Sequence, residues 1–280
     1  MHRSDPARGS VTAVAIALFV TLASAYPALA VDVTACGQVV ARGEIGDVVA
    51  DLTCTGGGIV LENGALLRLN GHVITGPGPA SSCLFPNCGG VWCQAARCSV
   101  VGPGEITGFP MGIWSHNPVV LGRLGRVGAT GVVLRGNHVG LRARVATLTG
   151  VVARENLGLG LSADSLKLQN VEASANGTDL NSPGVGILGM RLKGVDVRVE
   201  DNLGLTGGVL VSSVNLRQAT VTGNAGDGVH TAGRLTLRDS IVTGNAAADV
   251  SSPRRPRIVN TTCGSSSDQQ SGDWDVCTND

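Results

Sequence analysis

The sequence predicts an all-β chain wound into a single-stranded right-handed parallel β-helix, a β-solenoid whose ends are fastened by disulfides. Three observations predict it. First, 41 glycines alternate with dense apolar segments, which a disordered glycine-rich chain would lack. Second, the later segments overlay as text: LKLQNVEASANGTDL, MRLKGVDVRVEDNLGL, VNLRQATVTGNAGDGV and LTLRDSIVTGNAAADV, with TLTGVVARENLGLGL before them. Their asparagines, Asn156, Asn176, Asn202, Asn224 and Asn245, recur at intervals of 20, 26, 22 and 21, and Asn137 stands 19 before the first. Third, Leu166, Leu168, Leu216, Leu235 and Leu237 alternate with Lys167, Asn215 and Thr236, the period-two pattern of a strand with one face in and one out.

Each repeat holds two or three short strands, too little to bury a core alone. Stacking solves this, because each strand pairs with its equivalent in the coils above and below. A globular sandwich does not explain the repeated text, a leucine-rich repeat needs a longer motif with a helical side, and a propeller needs much longer repeats. Roughly eight or nine coils fit between Val39 and Val250. The repeated asparagines read as structural: Asn suits tight turns and tolerates left-handed backbone, and stacked amides would bond between coils.

In chain order, residues 1–30 are expected to be a signal peptide. Arg3 and Arg8 precede the apolar run Val11 to Ala23, and small residues stand at Ala28 and Ala30, with cleavage expected after Ala30. The run is too short for a comfortable membrane anchor, which needs roughly 20 apolar residues. Residues 31–250 are expected to form the β-helix with its N-terminal cap, and residues 251–280 a C-terminal disulfide cap. All eight cysteines, Cys36, Cys54, Cys83, Cys88, Cys93, Cys98, Cys263 and Cys277, follow the signal. An even count in an exported chain reads as disulfides, with Cys36–Cys54 and Cys263–Cys277 expected from their short separations. The five-residue spacing of the middle four also admits a zinc site, but the oxidising compartment favours disulfides. Caps are needed because bare end strands would pair with another molecule.

Removing the signal leaves 19 basic and 20 acidic residues, so no global field draws nucleic acid or an anionic membrane. The expected location is secreted, periplasmic or cell-surface, and the expected state is a monomer without a transmembrane segment.

The stretch DLTCTGGGIVLENGALLRLNGHVITGPG (Asp51 to Gly78), the VTGNAGDGV and VTGNAAADV repeats and the ending TTCGSSS…WDVCTND resemble secreted bacterial proteins of the right-handed β-helix, pectate-lyase-like superfamily. The resemblance covers nearly all of the chain after the signal. It implies a solenoid fold and an association with polysaccharide, since that superfamily includes lyases, hydrolases, epimerases and sugar-binding proteins. No catalytic motif of such an enzyme matches residue by residue. Tyr26 is the only tyrosine and lies in the signal, which excludes a tyrosine acid or base.

Three groups of residues are candidates for a site. Arg217 and Arg238 occupy one outward strand position together with Asn70 and Gln169, and Lys193 the comparable place. About 4.8 Å between strands would stack them into a partly basic ladder. Arg pairs with uronate carboxylates in bidentate fashion and would stabilise an enolate while a base removes a sugar C5 proton. His230 and Asp227, three apart in NAGDGVH, supply a general base and the group that orients it. These five are the expected catalytic set. Trp92, Trp114, His116 and Arg97 are the expected substrate-binding set, an aromatic surface edged by polar groups; for each group a purely structural role is the competing reading. No cofactor is expected and no metal ligand is named; calcium is left open, although no EF-hand loop or comparable carboxylate array exists. The expected partner is a polysaccharide or cell-surface glycan. The expected function is an exported polysaccharide-interacting β-helix, a lyase or epimerase of uronic-acid-containing polysaccharide; a non-catalytic glycan-binding module and a purely structural solenoid are the alternatives.

Overall fold

A computed structural model describes residues 30–81, 89–94, 96–116, 125–178, 184–270 and 272–278. The expected signal therefore lies outside the described residues except for Ala30, which opens the first strand, Ala30–Val33. Cys83 and Cys88 also lie outside them.

Among the described residues there is no helix, and the strand pairs are parallel throughout. The chain forms a parallel β-helix of about nine turns. Its strands stack into three columns, one per face of each coil. The first face runs from Val39–Val40 through Ile59–Leu61, Gly89–Cys93 and Met111–Ser115 to Val229–Thr231, Val250–Ser251 and Ser266–Ser267. The second runs from Ala30–Val33 through Ile45–Val48 and Leu66–Arg68 to Leu235–Arg238 and Arg257–Val259. The third runs from Leu52–Thr53 through Val73–Thr75 to Thr220–Thr222, Ile241–Thr243 and Thr262–Cys263. Long strands such as Leu159–Ser174 and Val185–Glu200 bend through all three faces of one coil.

The inward positions of each column stack like on like. On the second face Leu166, Leu192, Val214 and Leu235 lie in one row, each at most 3% exposed. On the third, Ala153, Ala173, Val199, Val221 and Val242 form a buried row that ends on Cys263. Parallel pairing continues past Val250, so the last coil lies within the segment that the sequence suggests is only a cap.

The ends are fastened as the spacing suggested: Cys36 bonds Cys54 and Cys263 bonds Cys277. Cys93 bonds Cys98, which removes two of the four thiolates a zinc site there would need.

The repeated asparagines do bond between coils. From Asn156 onward each side-chain Nδ2 donates to Oδ1 of the next rung: Asn156 to Asn176 at 2.8 Å, Asn176 to Asn202 at 2.9 Å, then Asn202 to Asn224 and Asn224 to Asn245, both at 2.8 Å. Each Oδ1 also accepts the backbone N–H of the rung before it, and each Nδ2 reaches a carbonyl of the preceding coil. Asn137, Asn156, Asn176 and Asn202 are fully buried, so the ladder satisfies polar groups that water cannot reach.

One expectation needs correcting. The ladder asparagines are not themselves left-handed; the residue before each of them is. Gly136, Glu155, Ala175, Asp201, Gly223 and Gly244 have φ between 51 and 69°. The left-handed residue turns the chain off the third face, and this aims the following amide into the stack. A second left-handed position, between the second and third faces, is filled by Asn70, Asn170, Asp196, Gln218, Asp239 and Asn260.

Candidate functional site

The outward residues of the second face assemble the principal site. Strand registry gives two outward rows: Lys167, Lys193, Asn215, Thr236 and Arg257 in one, Gln169, Val195, Arg217, Arg238 and Val259 in the other. Arg217 and Arg238 are thus true neighbours on successive coils, as expected, with Gln169 in their row. Lys193 is not in it but one outward position earlier, beside Lys167 and Asn215. The reason is Gly194. It fills the inward place held by Leu168 and Leu216 in adjacent coils, and a Cβ there would come within 2.6 Å of Val197 and 2.8 Å of Leu216. Asn70 also leaves the row, because it occupies the left-handed turn position instead.

These rows border a groove of about 760 Å³ lined by Lys193, Ser213, Asn215, Arg217, Arg234, Thr236, Arg238 and Arg257 together with Gly194, Val195 and Val214. Its five cations are all exposed. The ion pairs among the described residues join Arg68 to Asp47, His72 to Asp51, Arg135 to Glu105 and His230 to Asp227; none uses a groove cation. Neither Asp196 nor Asp239 forms an ion pair with a groove cation among the described residues; Asp239 accepts from Asn260 Nδ2 at 3.2 Å. A shallower extension of about 400 Å³ continues the groove over Lys167, Gln169, Thr147 and Thr149. Arg234 and Arg257 escape sequence reasoning. Arg234 sits at a bend outside the repeated strand text, and Arg257 in a proline-flanked segment that reads as an exit from the solenoid.

His230 and Asp227 meet: His230 Nδ1 lies 2.7 Å from Asp227 Oδ2. Asp227 Oδ1 accepts the Ala248 N–H of the next coil at 3.1 Å. Burial pushes the Asp227 carboxyl up, but the hydrogen bonds from His230 and Ala248 and the charge of His230 outweigh it and hold the carboxyl below the usual range. The pair stands on the first face, and neither residue lines the cationic groove. The five residues expected to act together are therefore divided between two faces. His230 Nε2 is 3.4 Å from Gln269 Nε2, whose amide also donates to the Thr231 carbonyl at 3.1 Å, so the pair abuts the C-terminal cap.

Trp92 and Trp114 are registered neighbours on the first face, their ring centroids 6.1 Å apart, and Trp114 stacks on His116 at 5.1 Å. The rings are 6% and 3% exposed. They form a buried stack rather than the open sugar platform expected. Arg97 is exposed but belongs to the second face, registered with Arg126. Elsewhere, His72 Nδ1 lies 3.2 Å from Asp51 Oδ1. No cluster of three or more His, Cys, Asp or Glu able to hold a metal ion occurs among the described residues, nor does a helix long and apolar enough to cross a membrane.

Compared with family models, with curated proteins and with solved structures, the chain gives no match.

Proposed function

We propose that this is an exported carbohydrate-binding β-helix that holds an acidic, uronate-containing polysaccharide against its second face. The observation that carries the reading is the groove itself: five exposed cations converge on one concavity without a carboxylate partner among the described residues. Scattered surface charges are ordinary, but like charges around a cleft focus the field and concentrate an anion there. Arg217, Arg234, Arg238 and Arg257 supply the planar fork that fits a carboxylate, and Ser213, Asn215 and Thr236 supply neutral groups for hydroxyls.

Binding is favoured over turnover. Elimination or epimerisation at C5 needs a base beside the cations, and His230 with Asp227 lies on another face. Export is supported by the three disulfides among the described residues and by the N-terminal sequence pattern, and the resemblance to pectate-lyase-like proteins fits the same reading. The test is a screen of the purified protein against acidic polysaccharides, with and without calcium, following both binding and the ultraviolet absorbance of unsaturated product. Binding without new absorbance is expected; steady product formation would replace the binding reading with a lyase.

A further inference from the structure

The Asp227–His230 pair takes no part in the groove, yet its surroundings fix where its hydrogens stand. A carboxylate only accepts, so the 2.7 Å contact with Asp227 Oδ2 places a hydrogen on His230 Nδ1. In the neutral ring Nε2 is then a bare acceptor. A carbonyl also only accepts, so the Gln269 atom 3.1 Å from the Thr231 oxygen is the amide nitrogen. Its second hydrogen meets His230 Nε2, 3.4 Å away. Donors and acceptors in the run Asp227, His230, Gln269, Thr231 match only while the ring is neutral.

A proton on Nε2 breaks the match. The ring would then present an N–H to an NH₂ group, donor against donor. Turning the amide over does not repair it, because the amide oxygen would face the Thr231 carbonyl oxygen. Gln269 also has φ 67°, a conformation that disfavours any residue with a Cβ, so its contact with the coil holds a backbone state that is costly by itself.

Neighbouring charges do not cancel the change. Leu210 and Ser251, registered on either side of His230, are uncharged. Asp227 favours the added positive charge. Asp249, in the following coil, is committed to Asn245, Gly264 and Ser265. Asp268, beside Gln269, accepts the Gln270 and Gly272 N–H groups.

From this geometry we infer that His230 and Gln269 form a pH-operated latch, which fastens the C-terminal cap to the solenoid while the histidine is neutral and releases it when the ring is protonated. The part released follows the last strand of the first face, Ser266–Ser267. The rest of the cap stays fastened by the Cys263–Cys277 disulfide and by Trp274, whose Nε1–H donates to the Ser252 carbonyl at 3.0 Å.

The test is an NMR titration of the purified protein from about pH 8 to about pH 5, the range in which histidine side chains change charge. The charge of the His230 ring is read from its own carbon and nitrogen shifts, and the order of the cap from backbone relaxation. As the ring gains its proton, the order parameters of Gln269 and Gln270 should fall from about 0.85 to below about 0.6, while those of Cys263 and Trp274 stay high. Gln269→Glu replaces the NH₂ group by an acceptor and should invert the dependence, loose with the neutral ring and ordered with the protonated one. Gln269 is exposed, so this variant should fold as wild type does. Gln269→Ala should be loose throughout. Cap order that does not follow the ring charge, a ring that takes up no proton in this range, or a Gln269→Glu protein with the wild-type direction would overturn the latch.

Discussion

Asn245 passes the amide ladder to Asp249: the Asn245 side-chain Nδ2 and backbone N–H both donate to Asp249 Oδ1, at 2.8 and 3.1 Å. The other carboxylate oxygen accepts the N–H groups of Gly264 and Ser265, at 2.8 and 3.0 Å. A carboxylate only accepts, so Asp249 ends a chain of donors and ties its last rung to the cap. Asp249→Ala should cost about 2–4 kcal/mol, since several buried donors lose their acceptor at once. Asp249→Asn keeps one acceptor for Asn245 but presents an NH₂ group to two other donors, and should cost less than Ala. Urea denaturation of the two variants beside wild type checks both the size and the order.

The turn before each rung predicts a gain as well as a loss. Ala175 has φ 51°, a conformation that disfavours any residue with a Cβ. Ala175→Gly should raise stability by up to about 1 kcal/mol, the relief of strain exceeding the added chain entropy. Gly208→Ala should do the reverse and cost more than about 2 kcal/mol. Its Cβ would stand 2.7 Å from Asn224 Nδ2 and 2.9 Å from the Gly228 carbonyl, inside the ladder. Melting temperatures of the two variants should move in opposite directions.

The fold was legible because it repeats. Leucines at alternate positions and asparagines at coil-length intervals each report one coil, and their recurrence carried the architecture and the ladder, while the short separations of the end cysteines carried the two terminal disulfides. The site was only partly legible. Arg217 and Arg238 share text and therefore share a row. Lys193 was misplaced because Gly194 stands where its neighbours have leucine, and the inward rows set the register. Whether His230 joins the arginines depends on how many residues each bend consumes, which no local pattern around NAGDGVH states. The burial of Trp92 and Trp114 was likewise invisible, since an outward strand position says nothing of what packs over it.

The Asp227–His230 pair gives a pH prediction. Because the folded-state pKa of Asp227 lies below its ordinary value of 3.8, the ionised carboxylate contributes stability that is present above that value. The contribution is lost as the pH falls through the lowered folded-state value. Asp227→Asn should be less stable than wild type near neutrality, and the gap should close on acidification below about pH 4. Melting temperature against pH for both proteins checks it; a gap that stays constant into the acid range would mean that the carboxylate charge contributes nothing.

The most direct test of the central claim is calorimetric titration of oligogalacturonate into wild type and the Arg217→Ser/Arg238→Ser double variant, at low and high salt. Both side chains are exposed, so the double variant should fold as wild type does. Wild type should bind, with affinity falling steeply as salt rises, and the double variant should bind about 30-fold more weakly with a shallower salt dependence. Equal affinity in the two proteins, or binding indifferent to salt, would contradict a cationic groove that holds an acidic polysaccharide.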